Sequence, residues 1–377
     1  MAATDIARLT TLAINKMLKK KVEPINRRSY LVGEMTRRNR VSFGNGGLKM
    51  EWRPRIRRRE ITWGPGNPNT VSFNVTNVNT VLTLDYKTAW MGEAVREIEV
   101  LALQDSETAY FKKLDDITTQ CADDFNARFG PSLYYDGTGT NKLDGLESCG
   151  GTLSSGGINA ASDTLAGVPV GDPSDIYAGK STALGASGDW SAPTGHNWPE
   201  VNDPDACDYE YHALSPLIVD YNSVYLIQDG STEDNNWDDC WVYACRYGTT
   251  YMGMLYGKTP DVIMLEAELL RRAKNSLKKD QQFQLDSTAK DLDQGIQVLS
   301  FDGIKFATEF GIPSGCGYGL NFDTLELRCM GNQLVKTMDD TEIRTGDRQY
   351  RFSFHGNLVI DSPAYVLYLK GLTSEGS

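Results

Sequence analysis

The pattern of apolar and polar positions is most regular between Gly92 and Gly130, where apolar residues recur at helical spacing. This stretch contains no proline and no internal glycine, and the step Gly130-Pro131 is typical of a helix end. We therefore expect a spine helix over residues 92–130, about 55–60 Å long at a rise of about 1.5 Å per residue. It either crosses a compact core or supports a flat, extended subunit. The apolar stripe comprises Val95, Ile98, Leu101, Ala102, Ala109, Tyr110, Leu114, Ile117, Cys121, Phe125 and Phe129.

The first 44 residues have the character of an arm. Residues 4–21 predict an amphipathic helix with Asp5 near its start and Lys19–Lys21 at its end, which complements the helix dipole. Pro24 ends this pattern, and the residues after it show little periodicity. We expect residues 1–44 to lie on another surface rather than to form a domain.

Residues 45–91 predict a long β-hairpin. Strand-like segments flank a turn-rich stretch at 64–69 that contains two glycines, two prolines and two asparagines. The segment is polar and basic, with too few apolar residues for a core of its own. Such an extended loop must pack on another surface or stay mobile until it does.

Residues 136–208 are rich in Gly, Ser, Ala, Asp and Pro, which is typical of elaborate surface loops. We treat them as an insertion in a domain that spans residues 92–213. The pattern of residues 214–227 fits either a helix or a strand and turn, and residues 229–239 predict an acidic surface loop.

The last third of the chain predicts a mixed α+β architecture. A buried strand is expected at 259–265 and an amphipathic helix, acidic at its start and basic at its end, at 266–279. From residue 296 onward the pattern is one of short strands and turns, with a glycine-rich turn at 313–319.

The net charge of −12 over 377 residues is unevenly distributed. Residues 1–60 hold 16 Lys and Arg against 5 Asp and Glu, whereas residues 61–377 hold 22 against 45. A basic head on an acidic body indicates either a nucleic-acid partner or contact between the head of one copy and the body of another. The acidic remainder argues against a dedicated DNA-binding protein.

No motif for catalysis, a cofactor or a metal ion emerges from the sequence. Lys180 and Lys258 lie in incomplete imitations of a phosphate-binding loop, and neither has the required first glycine. The three histidines lie outside any nucleophile or metal motif, and the seven scattered cysteines fit reduced thiols better than a zinc site. No run of about 18 apolar residues occurs, so we expect no membrane partner.

The order of the segments resembles that of the major capsid proteins of tailed bacteriophages, which share the Hong Kong 97-like fold. A basic arm, a two-stranded loop and a long helix are followed by short motifs that are individually weak but cover nearly the whole chain. These are 127–130 (ARFG), 135–139 (YDGTG), 144–148 (DGLES), 156–158 (GGI), 259–264 (TPDVIM), 312–315 (IPSG) with 319–321 (GLN), and 356–360 (GNLVI).

This resemblance implies an N-terminal arm (1–44), an extended loop (45–91), a peripheral domain on the spine helix (92–213), an axial domain (214–355) and a C-terminal strand that returns to the peripheral domain (356–377). It implies a non-enzymatic shell subunit of a virion, assembled in the host cytoplasm. Expected partners are further copies in hexamers and pentamers, portal and scaffold proteins, with or without decoration proteins, and packaged double-stranded DNA held by weak, non-specific contact.

The charge distribution also suggests which residues join subunits. Arginines of the extended loop should pair with carboxylates of the spine helix on a neighbouring copy, because bidentate arginine–carboxylate pairs are strong and are little screened when buried. The candidates are Arg53, Arg55, Arg57, Arg58 and Arg59 on the loop, and Asp115, Asp116, Asp123 and Asp124 on the helix.

Two other classes of protein stay open at this stage. A nanocompartment shell protein of the same fold would enclose cargo enzymes rather than DNA, and the insertion at 136–208 argues against it. An enzyme with an unrecognised site is the second alternative, and the missing motifs argue against that one.

Overall fold

The structure is a computed structural model of the full chain. It describes residues 29–55, 79–102, 117, 120, 121, 124, 125, 127–137, 142–150, 159–165, 168–172, 176–182, 214–222, 226, 227, 236–276, 299–342 and 346–371. The predicted helix at 4–21 and the middle of the extended loop lie outside these residues.

Four helices, seventeen strands and three short 3₁₀ turns have complete bounds. The helices are α1 (Tyr30–Arg37), α2 (Glu97–Ala102), α3 (Trp237–Tyr256) and α4 (Ala267–Ser276), and the 3₁₀ turns are Leu146–Cys149, Phe322–Thr324 and Pro363–Tyr365. The strands are β1 (Val41–Ser42), β2 (Lys49–Trp52), β3 (Leu82–Asp85), β4 (Lys87–Val95), β5 (Asn159–Leu165), β6 (Val168–Asp172), β7 (Ile176–Tyr177), β8 (Lys180–Ser181), β9 (Leu217–Asp220), β10 (Val262–Leu265), β11 (Leu299–Phe301), β12 (Ile304–Ala307), β13 (Cys316–Leu320), β14 (Leu325–Cys329), β15 (Lys336–Thr341), β16 (Arg348–Ile360) and β17 (Val366–Lys370).

An eight-stranded mixed sheet, in the order β11-β12-β10-β13-β17-β9-β6-β5, separates two hydrophobic layers. Strand β10 shows the alternation: Ile263 packs with helices α3 and α4, whereas Val262 and Met264 face the other layer. Successive residues of a strand point to opposite faces, so a strand buried on both sides is apolar throughout. The predicted strand at 259–265 and helix at 266–279 are confirmed as β10 and α4.

Helix α3 was not predicted, and its first turn includes Trp237, which we had placed in an acidic surface loop. Asp238 and Asp239 lie in that first turn, where they complement the helix dipole, and Gly257 ends the helix in a left-handed conformation. Gly248 faces β17 so closely that a Cβ atom there would lie 2.7 Å from Leu367 Cδ1. Gly248 thus allows the close packing of this helix on the sheet.

The predicted turn at 313–319 is wrong over its second half, because Cys316–Leu320 is the central strand β13. Gly317 and Gly319 lie within it. A Cβ atom on Gly317 would lie 2.7 Å from Leu265 of β10, and one on Gly319 would lie 2.9 Å from Leu367 of β17. These glycines therefore allow close packing on the strand rather than a chain reversal. Residues 214–227, left open above, contain the buried strand β9.

A second sheet has five strands and is organised by the 13-residue strand β16. On one edge β16 pairs with β14 and β15, and on the other it pairs with β4 from Arg348↔Val95 to Gly356↔Lys87. The expected spine helix therefore does not begin at Gly92, since residues 92–95 belong to β4 and α2 begins at Glu97. Helical residues continue to Ser132, past Gly130-Pro131.

Residues 29–44 do not behave as an arm that lies on another surface. Helix α1 is capped by Ser29, and its residues Tyr30, Leu31 and Val32 are fully buried. β1 pairs in parallel with β14, so this segment belongs to the core of the same chain. Its basic residues also pair within the chain, since Arg38 Nη1 lies 2.9 Å from Asp261 Oδ2.

The insertion at 136–208 contributes more than surface loops. Its hairpin of β5 and β6 extends the eight-stranded sheet through β9, and its turn Leu146–Cys149 is buried. The root of the extended loop is also fixed: β2 pairs with β3, and Met50 and Leu82 are buried against the body. The prediction that this loop packs on another surface holds for its root.

Strand pairing divides the chain differently from the predicted domains. Residues 325–355, placed in the axial domain, form the five-stranded sheet with β4. β17, expected to return to the peripheral domain, lies between β13 and β9 in the eight-stranded sheet. The eight-stranded sheet also holds β5 and β6 of the predicted 92–213 domain, so the division into peripheral and axial domains stays a prediction.

A buried ion pair fastens the 146–149 turn to the eight-stranded sheet. Lys370 Nζ at the end of β17 lies 2.8 Å from Glu147 Oε2, and both side chains are at most 5% exposed. The Tyr318 hydroxyl donates to the other Glu147 oxygen, and the Tyr368 hydroxyl donates to the Leu146 carbonyl. The three side chains that hold the turn, Lys370, Tyr318 and Tyr368, all come from strands more than 160 residues further along the chain.

We expect Lys370→Met to lower the free energy of unfolding by about 3–5 kcal/mol, because it leaves the Glu147 carboxylate buried without its counter-charge. The measurement is urea unfolding of the unassembled subunit. Arg246→Met is the matched control, since the exposed Arg246–Asp302 pair should contribute less than about 1 kcal/mol. Equal effects of the two variants would contradict this assignment.

Candidate assembly surfaces

The spine helix meets the five-stranded sheet through stacked aromatic rings. Phe125 and Phe129 stack with centroids 5.1 Å apart, and Phe129 meets Phe354 of β16 edge-on at 4.9 Å. Phenylalanines four residues apart share one face of a helix, which is why the sequence stripe predicted this buried side. The stack fixes the end of the helix against β16.

Beside this stack, a groove of about 190 Å³ opens between the first half of β4 and the helix. We call it the spine groove. Its charged lining residues are Lys87, Asp124, Arg128 and Lys142, so three cations surround one carboxylate. The aspartate pairs in the sequence suggested an acidic face on the spine helix. At the spine groove, however, the positively charged side chains outnumber the carboxylate.

The rim of the spine groove carries a large exposed aromatic residue. Trp90 of β4 is 70% exposed, and the guanidinium of Arg351 lies 5.3 Å from its ring centroid. Among the described strands β4 pairs with β16 alone, so no described strand pairs with its other edge. An exposed tryptophan on an open strand edge is typical of a surface that another polypeptide covers.

The root of the extended loop is held by polar contacts as well as by burial. Trp52 Nε1 donates to the Asp361 carbonyl oxygen at 2.9 Å, and the Arg328 guanidinium lies 6.0 Å from the Trp52 ring. Beyond Trp52 the alternation of β2 continues, with Pro54 buried and Arg53 and Arg55 exposed. Arg55 also forms an isolated β-bridge with Asn79, which brings the two arms of the loop together.

Of the nine predicted contact residues, the structure describes Arg53, Arg55 and Asp124. The two arginines lie at the loop root, and exposed Asp124 lies at the spine groove, so they occupy two separate places on one chain. The remaining candidates, Arg57, Arg58, Arg59, Asp115, Asp116 and Asp123, lie outside the described residues. Pairing between copies stays a prediction.

Sequence reasoning missed a polar junction that holds α1 in place. Glu309 Oε2 accepts from Leu31 N at 3.2 Å and from the Tyr134 hydroxyl at 3.0 Å, so it joins α1 to the segment after the spine helix. Burial raises the pKa of the Glu309 carboxyl, although these hydrogen bonds and one from Ser29 favour its charged form. No sequence motif around Glu309 predicts this role.

The described residues hold no group of three or more His, Cys, Asp or Glu placed to bind a metal ion. Their six cysteines are buried free thiols, and burial raises the pKa of Cys121 to about 11 and that of Cys240 to about 12. Within the same residues, no helix has the length and apolar character needed to cross a membrane.

No protein-family model and no curated protein sequence matches the chain. Solved structures do match it. A subunit of the Cyanophage A-1(L) capsid aligns with a TM-score of 0.54 at 14% identity, covering 89% of this chain and 91% of that one. A native GTA particle capsid gives 0.49 at 9%, covering 89% of each chain, and the Myoviridae Phage XM1 capsid gives 0.42 at 12%, covering 87% of each.

At these identities the likeness concerns the fold. The chain has the fold of a phage capsid subunit over nearly its whole length. This confirms the predicted α+β class and the resemblance drawn from the order of the segments.

We expect Trp90→Ala and Phe129→Ala to separate surface from core. Because Trp90 is mostly exposed, its removal should change the free energy of unfolding by no more than about 1 kcal/mol. Phe129 is buried in the aromatic stack, and its removal should cost about 3–5 kcal/mol. Urea unfolding of unassembled subunits measures both, and a Trp90 variant as unstable as the Phe129 variant would show that Trp90 supports the fold itself.

Proposed function

We propose that this chain is the major capsid protein of a tailed phage, with copies that assemble as hexamers and pentamers into an icosahedral head enclosing double-stranded DNA. The observation that carries the proposal is the alignment with the Cyanophage A-1(L) capsid subunit over 89% of the chain. The open edge of β4 and the exposed Trp90 support it, because shell subunits need surfaces that neighbouring copies complete. The role is structural rather than enzymatic.

The proposed partners follow from this role. Further copies of the chain come first, with portal and scaffold proteins, and with or without decoration proteins, in a virion that assembles in the host cytoplasm. Packaged DNA should be held only weakly, because tight phosphate binding requires many accessible Lys and Arg. Residues 61–377 carry about twice as many acidic as basic groups, so the basic positions Lys19–Lys21, Arg27 and Arg28 would supply most of that contact.

The ion pairs of residues 37–40 suggest that some basic residues stabilise the subunit while others contact neighbouring copies. Arg37 and Arg38 pair with Glu34, Arg38 also reaches Asp261, and Arg40 pairs with Asp323, all within the chain. We therefore assign contact between copies to the arginines of the extended loop, from Arg53 onward. Their proposed acceptors are Asp124 and the neighbouring aspartates of the spine helix on an adjacent copy.

Expression of the chain, alone and with its scaffold, tests the function directly. We expect closed shells or rings of five and six subunits in negative-stain electron microscopy. A chain that stays a compact monomer under all these conditions would exclude a shell function. Shells that copurify with a cargo enzyme, from a locus without portal or terminase genes, would favour a nanocompartment instead.

Triple substitution of Arg57, Arg58 and Arg59 by glutamate should block shell formation while leaving the subunit folded, since like charges would then face the spine helix of the neighbour. Microscopy reports assembly, and circular dichroism reports folding. The matched control is triple substitution by lysine, which keeps the charge but loses bidentate geometry and should assemble weakly and with strong salt dependence. Normal assembly of the glutamate variant in moderate salt would contradict the pairing.

A further inference from the structure

Two grooves follow strand β4 over nearly its whole length. The spine groove is lined by residues 87–91 of β4, and a second groove of about 470 Å³ is lined by residues 90–94 together with 349–351 of β16. Trp90 and Met91 line both grooves. Eight residues of a strand span about 26 Å at about 3.3 Å per residue, so the two grooves together offer room for one extended segment of similar length.

The edge of β4 that is not paired with β16 lacks the charges that usually guard an edge strand. No described strand pairs with this edge, and among residues 88–94 only Glu93 is charged. β15, another edge strand of the same sheet, carries three charged residues among six. Because an edge strand recruits other strands unless charges, prolines or bulges prevent it, β4 is better suited than β15 to accept one.

The spine groove combines exposed cations with exposed aromatic rings. Arg128 and Lys142 are exposed, whereas Lys87 pairs with a carboxylate of its own chain. Lys142 Nζ lies 5.5 Å from the ring centroid of Tyr135, which is 41% exposed. An occupant that offers carboxylates to these cations and aromatic rings to Tyr135 and Trp90 would complement the groove in both respects.

The chain itself contains a segment of this chemistry. Residues 205–211 (DACDYEY), which we call the acidic segment, hold three carboxylates, two tyrosines and no basic side chain. No Lys or Arg occurs anywhere in residues 181–245. Residues 229–235 also hold three carboxylates, but they include no aromatic ring. The acidic segment lies outside the described residues, and its composition makes it the stronger candidate of the two for the groove.

The order of residues within the acidic segment also matches the two sides of β4. In an extended chain its last two carboxylates fall on one side, and both tyrosines fall on the other. On β4, Ala89 lies opposite Phe354 and therefore faces the spine helix, whereas Trp90 faces the other way. Carboxylates on the helix side would lie near Arg128 and Lys142, and the tyrosines would then lie beside Trp90.

We propose that the acidic segment of one copy adds as a strand to the edge of β4 on another copy. A second copy supplies the segment because the single chain leaves Trp90 70% exposed. The inference rests on the proposed assembly of copies, and it names one surface and the segment that covers it. This contact is distinct from the pairing proposed for the arginines of the extended loop.

Disulfide trapping in assembled particles tests the contact, because the acidic segment contains Cys207. A cysteine replaces Thr88 or Gly92, which flank Trp90 on its side of β4. Under mild oxidation we expect covalent dimers and larger species on a non-reducing denaturing gel, and none once Cys207→Ser is added. Ile98→Cys is the matched control, since Ile98 is 78% exposed but lines neither groove and should give no species that depends on Cys207.

Three outcomes of the trapping experiment would overturn the proposal. Assembled particles in which neither new cysteine gives species dependent on Cys207 would exclude the contact while leaving the shell function intact. A disulfide to Cys207 within one chain would show that the segment covers β4 of its own copy. Covalent species that persist after Cys207→Ser would show that a different neighbour lies on β4.

A titration of unassembled subunits decides the matter if no particles form. The probe is a labelled peptide of residues 203–213, followed by fluorescence anisotropy under reducing conditions. We expect saturable binding that weakens at least about tenfold when the peptide carries Asp205→Asn, Asp208→Asn and Glu210→Gln, or when the subunit carries Arg128→Glu. No binding, or equal binding of the neutral peptide, would overturn the proposal. A chain that binds the peptide in this way but never assembles would contradict the shell function alone.

Discussion

The buried pair of Lys370 and Glu147 is the interaction on which the arrangement of the core depends. A lysine and a glutamate can leave water only if they reach each other and their remaining polar atoms find partners. Here that requires the 146–149 turn, β13 and β17 to be in place together, since Tyr318 and Tyr368 complete the group. Segments that are far apart in the sequence are thus fixed together by this one buried group. Tyr318 and Glu147, for example, are 171 residues apart.

The same dependence on distant partners explains what the sequence could predict. β10 and α4 were predicted because each carries a complete local pattern: four apolar residues in a row, and an amphipathic stripe with complementary charges at its ends. α3 was missed because Gly248 breaks its pattern, and the reason for Gly248 is the nearness of Leu367, a residue far along the chain. Gly317 and Gly319 of β13 led to the wrong prediction of a turn for the same reason, because the leucines that they accommodate lie in other strands.

The boundaries of the spine helix show a related effect. Val95 and Ile98 fit one helical stripe, yet Val95 lies at the end of β4 and is buried opposite Arg348 of β16, while Ile98 is 78% exposed. β16 is long enough to pair with three strands, and it recruits residues 92–95 that local preference would give to the helix. Sheet completion outweighed helix propensity there, as tertiary context commonly does.

Charge alone could not have separated contacts within the chain from contacts between copies. In the sequence, residues 1–60 form one continuous basic region. Its first described arginines, Arg37, Arg38 and Arg40, nevertheless pair with carboxylates of their own chain. Arg53 and Arg55, fifteen or so residues further on, point outward from a root that Trp52 holds in place. The difference lies in the backbone: α1 is buried in the core and the arginines at its end reach carboxylates of their own chain, whereas Arg53 and Arg55 are exposed at the loop root. Of the described arginines in this basic region, Arg53 and Arg55 therefore stay the predicted contacts between copies.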